Sequence, residues 1–187
     1  MEKLIQESIK KHKEAVNLLE ANHKALQEIA SLFIATLKKK GKIIFMGNGG
    51  SAADAQHLAA EFVGRFNRER NPLPALALST NTSTITAVSN DFGFEDIFLR
   101  QIEALGAPQD LVVGISTSGQ SLNIIKAVQR AKELGMKTVG FLGKDGGDLK
   151  EIIDVSLIIP SFDTPRIQEI HILVGHIICA IVEERLT

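Results

Sequence analysis

The feature that most constrains the fold of this chain is a series of five short, continuous apolar runs separated by segments of helical character. Because the runs do not alternate between apolar and polar residues, they are typical of strands buried on both faces of a parallel sheet. The strand candidates are residues 42–46, 75–78, 111–115, 138–142 and 155–159, and the helical segments lie near 52–66, 83–89, 94–105, 121–134, 147–152 and 165–186. The pattern predicts an α/β fold of three αβα layers with a five-stranded parallel sheet.

The first forty residues predict a helical extension to this core. Apolar residues recur at helical spacing from residue 2 to about 39, with a break predicted at Ala21-Asn22, and the lysines before Gly41 are typical of a helix C-terminus. We therefore expect a single domain over residues 1–187, with the extension at 1–40 and the core at 41–187. The extension and the last helix present more apolar surface than one sheet covers. We expect a homo-oligomer to cover it, although an intramolecular helix pair could do the same.

Composition and charge argue against nucleic acid or an acidic membrane as the main partner. The formal net charge is −1, and the chain has nine Phe but no Trp and no Tyr for base stacking.

The lone cysteine, Cys179, excludes an internal disulfide and lies in an apolar helical pattern, which predicts a buried, inert thiol. The N-terminus lacks the apolar segment of a signal peptide, and no apolar stretch approaches the roughly 18 residues of a membrane span, so we expect a cytoplasmic protein.

A glycine-rich turn, Gly47-Asn48-Gly49-Gly50-Ser51, follows the first strand candidate and opens onto a helix. The order strand, turn, helix points backbone N–H groups and the positive end of the helix dipole at whatever lies above the turn, which favours an anion such as a phosphate. His57 and Glu61 follow on the helix four residues apart and therefore share one face. The two features together suggest an enzyme that acts on a phosphorylated small molecule.

A second polar loop, Ser116-Thr117-Ser118-Gly119-Gln120-Ser121, lies between the third strand candidate and a helix. Its hydroxyl and N–H groups could surround a phosphate, but a serine-rich turn is often only a helix cap, and we expect Ser121 to cap the helix that follows. The loop lacks the Gly-Lys-Ser/Thr ending of a P-loop. Its position favours phosphate binding, because ligands of such sheets lie beyond the carboxyl ends of the strands, where the 47–51 turn also opens.

The last helix carries a third group of polar residues, within the segment 166–176, among Ile, Leu and Val. A single histidine on an apolar helix face is more often a core or interface residue than a ligand, and we interpret His171 in this way. Spacing alone does not distinguish whether His176 is a core residue or a residue of a functional site. His12 and His23, in the N-terminal extension, are interpreted as surface residues.

Four motifs, in this order along the chain, resemble the sugar isomerase (SIS) family: GNGGSAADAQHxxxE, STNTSTITAVSNDFGFEDIF, GISTSGQSxN and RIQEIHxxxxH. Within that family they closely resemble the phosphoheptose isomerases. The resemblance implies the SIS fold, a homotetramer with active sites between subunits, and one zinc ion per subunit. It also implies conversion of sedoheptulose 7-phosphate to D-glycero-D-manno-heptose 7-phosphate through an enediol or enediolate. That reaction is the first step of ADP-heptose or GDP-heptose precursor synthesis for lipopolysaccharide, capsule or glycoprotein.

The resemblance further implies roles for individual residues. The family's metal ligands fall on His57, Glu61, Gln168 and His176. Glu61 is then the candidate base at carbon, and His176 the candidate acid that moves protons among oxygens. The implied substrate contacts are Asn48, Gly49, Gly50, Ser51, Glu61, Asn90, Asp91, Ser116, Thr117, Ser118, Ser121 and Gln168. Two departures from the family pattern, Asn81 for a common Asp and Pro165 for a common Ala, touch no implied ligand.

Spacing on the last helix complicates a metal site with all four ligands. Gln168 and His176 are eight residues apart, which corresponds to roughly 12 Å of helix rise. Both could reach one ion only if the helix starts late, if the side chains lean toward each other, or if two subunits contribute, and we favour the last as a hypothesis. If Glu61 and His176 are also metal ligands, each needs a free atom for proton transfer or must leave the ion during turnover.

Three other functions occur on this fold. A non-catalytic SIS regulator binds the replication initiator protein, but in such relatives the position of His176 is typically not histidine and the GNGGS turn is altered. An isomerase for another phosphosugar, such as arabinose 5-phosphate, fits the GNGGSAAD turn and the RIQEIH segment poorly. A sugar-phosphate sensor would use the same pocket without turnover, and only an assay separates it. The retention of all four implied ligands favours the enzyme.

Overall fold

Among residues 1–20 and 22–186, which the computed structural model describes, five parallel strands form one sheet in the order β2-β1-β3-β4-β5. The strands are β1, Ile43–Gly47; β2, Ala75–Ala77; β3, Leu111–Ser116; β4, Lys137–Gly143; and β5, Val155–Ile159. Ile43 pairs with Ala75 on one side and with Leu111 on the other, so β1 lies between β2 and β3. The predicted strands and the α/β fold class are therefore confirmed.

Helices alternate with the strands as the sequence predicts. They are α1, Glu2–Glu20; α2, His23–Lys38; α3, Gly50–Val63; α4, Thr82–Asp91; α5, Leu99–Leu105; α6, Leu122–Glu133; α7, Leu149–Ile152; and α8, Thr164–Leu186, with a 3₁₀ turn at Phe94–Asp96. The helix predicted near 94–105 is thus divided, and the helix predicted near 52–66 ends earlier, at Val63. The break predicted at Ala21-Asn22 falls between α1 and α2, and Ala21 itself lies outside the described residues.

Alternate residues of the strands face two apolar clusters, one on each side of the sheet. Ile43 and Phe45 of β1 pack with apolar residues of α2, α3 and α8, whereas Ile44 and Met46 pack with apolar residues of α5 and α6. Because both faces of the sheet are covered by helices, the strands have no polar face, and their continuous apolar sequences are explained. The three predicted layers are present.

By length and composition alone, α8 could cross a membrane, so the expectation that no stretch of the chain reaches that length was wrong. One such helix is weak evidence, since the core helix of a soluble protein passes the same test. The fully buried residues of α8 belong to the first apolar cluster, against the sheet; they include Ile167, Ile170, Val174, Ile178 and Val182. One face of the helix is therefore packed in the core of the protein.

The order of the strands changes direction between β1 and β3, which places a crevice there. The chain continues from β1 to β2 on one side, and from β3 to β4 and β5 on the other. In open parallel sheets, ligands bind at such a point, beyond the carboxyl ends of the strands. The 47–51 turn follows β1 and the 116–121 loop follows β3, so both predicted phosphate-binding segments flank this crevice.

Candidate active site

The glycine turn after β1 leads directly into α3. Gly49 has a left-handed φ of +55° with open space around it, and α3 begins at Gly50. A Cβ at position 50 would collide with the side-chain amide of Gln168 on α8, so the absence of a side chain there allows Gln168 to lie against the turn. The N-terminus of α3 and the amide of Gln168 therefore form one polar surface beside the crevice.

A pair of asparagine side chains bridges the crevice. Asn48, in the glycine turn, and Asn123, at the start of α6, exchange two side-chain hydrogen bonds of 2.9 Å each. Asn123 is buried and Asn48 is half-buried, so the bridge fixes the separation of the two loops. Asn123 is the last residue of the GISTSGQSxN motif, and its role was not predicted from the sequence.

Two hydroxyl groups of the 116–121 loop, here called the serine loop, accept N–H groups of its own backbone. The Oγ of buried Ser116 accepts the Gly119 N–H at 3.0 Å and lies 3.2 Å from Ser121 Oγ. Ser118 Oγ accepts the Gln120 N–H at 3.2 Å. Ser121 occupies the N-cap position of α6, but its side chain makes no capping hydrogen bond, so the expected cap was wrong. The hydroxyl of Ser116, at the end of β3, offers it a partner instead.

The turn after β4, residues 143–148, supports the serine loop from one side. Gly119 has a left-handed φ of +66°, and a Cβ there would overlap the backbone of Gly146. The Gly119 carbonyl accepts the Leu149 N–H at 3.1 Å, and Gln120 Nε2 donates to Asp148 Oδ1 at 3.2 Å. These contacts hold the loop backbone in place independently of any ligand, which lowers the entropic cost of binding.

Three of the implied metal ligands meet within one chain, and they are called the His/Glu cluster below. His57 Nε2 lies 3.2 Å from Glu61 Oε1 and 3.4 Å from His176 Nε2. One ligand atom from each of the three residues lies within 4.8 Å of the others. The two imidazole rings are inclined by 72°, with centroids 5.0 Å apart. His57 and Glu61 belong to α3 and His176 to α8, so the cluster forms where these two helices are in contact.

A glycine on α8 allows the two helices to approach closely at the cluster. Gly175 directly precedes His176, and a Cβ on it would overlap one methyl group of Leu58 and lie 2.7 Å from the other. Leu58 directly follows His57 and is 1% exposed, so its side chain has little room to move aside. Gly175 therefore sets the distance at which His57 and His176 meet.

The donor atoms of the cluster and their spacing fit a zinc ion. Imidazole nitrogen and carboxylate oxygen are ordinary zinc ligands, with bond lengths of about 2.0–2.2 Å. In a tetrahedral site with such bonds, neighbouring ligand atoms lie about 3.3–3.6 Å apart. The separations of 3.2 and 3.4 Å in the cluster are close to these values. Three protein ligands with an open fourth position are typical of catalytic zinc sites.

Gln168, the fourth implied ligand, lies at the start of α3. Its amide lies against Gly50, seven residues before His57 on α3, which corresponds to roughly 10 Å of helix rise. A second subunit is therefore not needed to bring His57, Glu61 and His176 together. The role of Gln168 as a metal ligand stays a prediction.

The remaining implied substrate contacts are distributed unevenly. Ser51 is buried in the first turn of α3, and Thr117 and Ser118 are half-buried in the serine loop. Asn90 and Asp91 are exposed at the end of α4, where Asn90 Nδ2 donates to Asp91 Oδ1 at 2.8 Å. Their contact with a substrate stays a prediction.

Two residues near the cluster were not predicted from the sequence. Phe66 stacks on the ring of His176, with centroids 5.5 Å apart and planes inclined by 30°. Asp54 lies one turn before His57 on α3, and burial raises the pKa of its carboxyl group, an effect that His57 partly opposes. Among the described residues, Asp54 Oδ2 has no hydrogen-bond partner. Phe66 was not predicted because a single aromatic residue beyond a helix end gives no periodic signal. Asp54 lies inside the GNGGSAADAQH motif, in which the glycines and His57 were given roles but Asp54 was not.

Other titratable groups of α8 have structural roles. His171 is fully buried and its Nε2 donates to the Leu142 carbonyl at 3.1 Å, while burial lowers its pKa to about 4. Burial, with a contribution from Glu61, raises the pKa of the Cys179 thiol to about 12. The predicted core positions of His171 and Cys179 are therefore confirmed. His12, predicted at the surface, is 42% exposed and its Nδ1 lies 2.6 Å from Glu169 Oε2.

Comparison with known proteins places these features in a family context. The family model described as SIS domain matches residues 7–143 of the chain. The phosphoheptose isomerase of Helicobacter pylori strain P12 is 53% identical over 181 residues, which cover 96% of this chain and 94% of that protein. A solved phosphoheptose isomerase from Francisella tularensis superimposes with a TM-score of 0.94 at 36% identity, over 97% of both chains. The one from Neisseria gonorrhoeae superimposes with a TM-score of 0.86 at 41% identity, over 96% of this chain and 99% of the other.

Proposed function

Because the chain belongs to the SIS domain family, we propose that it is a phosphosugar isomerase that interconverts sedoheptulose 7-phosphate and D-glycero-D-manno-heptose 7-phosphate at the His/Glu cluster. The observation that carries this proposal is the placement of the cluster on the same helix whose N-terminus opens the crevice. The cluster lies roughly 10 Å along α3 from the glycine turn, and an extended seven-carbon sugar phosphate has a comparable length. The similarity to phosphoheptose isomerases over nearly the whole chain does not favour the non-catalytic regulator.

The reaction needs groups that move two protons. One proton passes between neighbouring carbons and another between their oxygens, so the base must be able to return its proton. Glu61 is the candidate base, and its carboxylate lies beside His57 in a half-buried position. His176 is the candidate acid among the sugar oxygens, with its ring held between His57 and Phe66. Zinc held by the cluster would polarise the carbonyl group and stabilise the negative charge that develops on the sugar oxygens.

Phosphate binding is assigned to the two loops that flank the crevice. The serine loop offers hydroxyl groups on a backbone that is already fixed by the 143–148 turn. The glycine turn adds the N–H groups at the start of α3, where the helix dipole favours an anion. Binding energy from the phosphate, remote from the reacting carbons, can then orient the sugar for proton transfer.

The proposal is tested by turnover of sedoheptulose 7-phosphate by metal-stripped protein, with and without added zinc. We expect the aldoheptose phosphate to form only when zinc is present. Equal turnover in both conditions would exclude the metal role while keeping the isomerase. Folded protein that binds zinc but does not turn over the substrate would exclude the isomerase and favour a regulator or a sensor.

We also infer a homotetramer with active sites between subunits. Leu4, Ile5 and Ile9 of α1 are 69%, 54% and 51% exposed, which leaves an apolar stripe without cover. An open groove of about 390 Å³ lies between α1, α2 and α8; its lining is mostly apolar and includes Val16, Leu19, Leu26, Leu173, Ile177 and Ile181. Sedimentation equilibrium tests the inference, and a monomer at micromolar concentration would exclude it.

The proposed enzyme acts in the cytoplasm, at the first step of ADP-heptose or GDP-heptose synthesis for lipopolysaccharide, capsule or glycoprotein.

A further inference from the structure

A buried carboxylate on α8 organises the segment that follows α3. Glu183 is 2% exposed, and its Oε2 accepts the N–H groups of Asn67 at 2.8 Å and Arg68 at 3.0 Å. Its Oε1 accepts the N–H of Phe66 at 3.2 Å. Burial alone would raise the pKa of Glu183, but the three N–H groups and Arg70 outweigh it and hold the pKa below its ordinary value. The carboxylate is therefore ionised, and it binds a segment that has no helix or strand to shape it.

Arg70 connects this carboxylate to the end of α3. Its Nε donates to Glu183 Oε1 at 3.1 Å, its Nη2 to the Glu61 carbonyl at 2.7 Å, and its Nη1 to the Phe62 carbonyl at 2.9 Å. The Arg70 side chain is 5% exposed. The planar guanidinium can make these bonds at once, whereas a lysine ammonium in its place would be a single point charge. Carbonyl groups in the last turn of α3 are thus tied to a charge on α8.

Both ends of this arrangement reach the His/Glu cluster. The N–H of Phe66 is held by Glu183, and the ring of Phe66 stacks on His176. The carbonyl of Glu61 is held by Arg70, and the carboxylate of Glu61 is in the cluster. Glu183 lies seven residues after His176 on the same helix, about two turns. The contacts therefore close a ring from α8 through the 64–70 loop and α3 back to α8.

We propose that Glu183 and Arg70 are positioning residues of the His/Glu cluster, acting through the 64–70 loop. They hold the Phe66 ring on His176, which restricts rotation of the imidazole, and they hold the last turn of α3, which carries Glu61. Metal ligands need such support, because small errors in ring orientation weaken binding. The inference deepens the proposed function: its activity readout depends on that function, but its metal-binding readout does not.

The chain offers a matched control for the loss of a buried carboxylate. Asp110 is also 2% exposed, and it accepts the N–H groups of Lys42 and Ala107 and pairs with the Lys42 ammonium group. Asp110 and Lys42 precede β3 and β1, so they lie at the amino ends of the strands, opposite the crevice. Asp110→Asn removes a comparable ion pair, which is formed with Lys42 and not with the 64–70 loop.

The test compares Glu183→Gln and Asp110→Asn by zinc affinity, measured in competition with a chromophoric chelator, and by kcat, KM and Tm. We expect Glu183→Gln to weaken zinc binding by on the order of 10-fold to 100-fold and to lower kcat more than it changes KM. Asp110→Asn should lower Tm to a similar extent and leave zinc affinity at the native value. Equal effects of the two variants on zinc affinity would overturn the proposal, because Glu183 would then act only through stability.

A second pair of variants keeps the test independent of folding. Phe66 is half-buried, so Phe66→Leu is expected to fold, but it removes the ring from His176. It should weaken zinc binding about tenfold, and Phe66→Tyr, which keeps the ring, should restore it. Native zinc affinity and native kcat in Phe66→Leu would overturn the proposal. Wild-type protein that binds zinc without turnover would contradict the isomerase instead, and zinc affinity would still decide the role of Glu183.

Discussion

Replacing Gly175 by alanine should push α3 and α8 apart at the point where His57 and His176 meet. A Cβ on residue 175 would overlap one methyl group of Leu58 and lie 2.7 Å from the other, whereas carbon atoms in contact settle at about 3.5–4.0 Å. Because Leu58 is buried, the helices have to separate by roughly 1 Å. The separation of 3.4 Å between the two Nε2 atoms would become about 4.4 Å. A tetrahedral ion between them would then need bonds of about 2.7 Å instead of about 2.0–2.2 Å.

The cost of this change should appear in metal binding more than in folding. Overpacking a core contact costs about 1–3 kcal/mol of unfolding free energy, and alanine in place of glycine inside a helix returns about 0.5–1 kcal/mol. The variant is therefore expected to fold. Zinc affinity should fall by on the order of 10-fold to 100-fold. Chelator competition measures the affinity, and thermal unfolding of the metal-free protein measures the cost in stability.

The double variant Gly175→Ala with Leu58→Ala is the control for this prediction. Shortening Leu58 removes the atoms that the new methyl group would meet, so the helices can return to their native separation. We expect zinc affinity to recover in the double variant, although stability falls further because part of the leucine volume stays empty. Native affinity in Gly175→Ala, or an equal loss in the single and double variants, would refute the claim that the glycine sets the spacing of the ligands.

Three further changes test the assignments of single residues. Glu61→Gln keeps the size of the side chain but removes the base, so turnover should be nearly abolished in folded protein, and an unchanged kcat would exclude Glu61 as the base. Ser118→Ala should mainly raise KM, since the serine loop binds away from the reacting carbons, and a loss confined to kcat would contradict that role. His171 has a folded pKa of about 4 and an ordinary value of 6.5, so the unfolded chain binds a proton that the folded chain does not. Stability should therefore decrease as the pH falls from 6.5 toward 4, by about 3 kcal/mol in total. Denaturant titrations should show a shallower decrease for His171→Gln, and equal decreases would show that His171 is not the source.

The strands were predictable because their signal is local. The run at 111–115 lies within β3, whose residues are all buried, and its apolar character on both faces follows directly from burial in the middle layer. Helix ends depend on distant contacts and were less predictable. The predicted extension of α3 past Val63 failed: Gly64 ends the helix, and the N–H of Phe66 is taken by Glu183, 117 residues away. No pattern within a short window contains that information.

In the candidate site, too, local features were predictable from the sequence and contacts between distant elements were not. The four-residue spacing of His57 and Glu61 is enough to predict that they share a helix face, and the glycine-rich composition of residues 47–51 is enough to predict the turn. The meeting of His176 with His57 depends on how closely α8 packs on α3, which is decided by Gly175 and Leu58 rather than by either histidine. The roughly 12 Å of helix rise between Gln168 and His176 suggests a second subunit for a four-ligand site, and that hypothesis stays a prediction.

The placement of α8 ties the separate parts of the site to the core of the protein. Gln168 lies against the glycine turn, His176 joins the cluster, and Glu183 holds the 64–70 loop. The residues between them include Ile170, Val174 and Ile178, which are fully buried or nearly so in the first apolar cluster against the sheet. A shift of this helix would therefore move the contact to the turn, the ring of His176 and the loop support together. Such a shift is opposed by apolar packing along the helix, and close packing resists small displacements. The apolar sequence of α8, which resembles a membrane span, is thus what keeps three polar side chains at fixed positions.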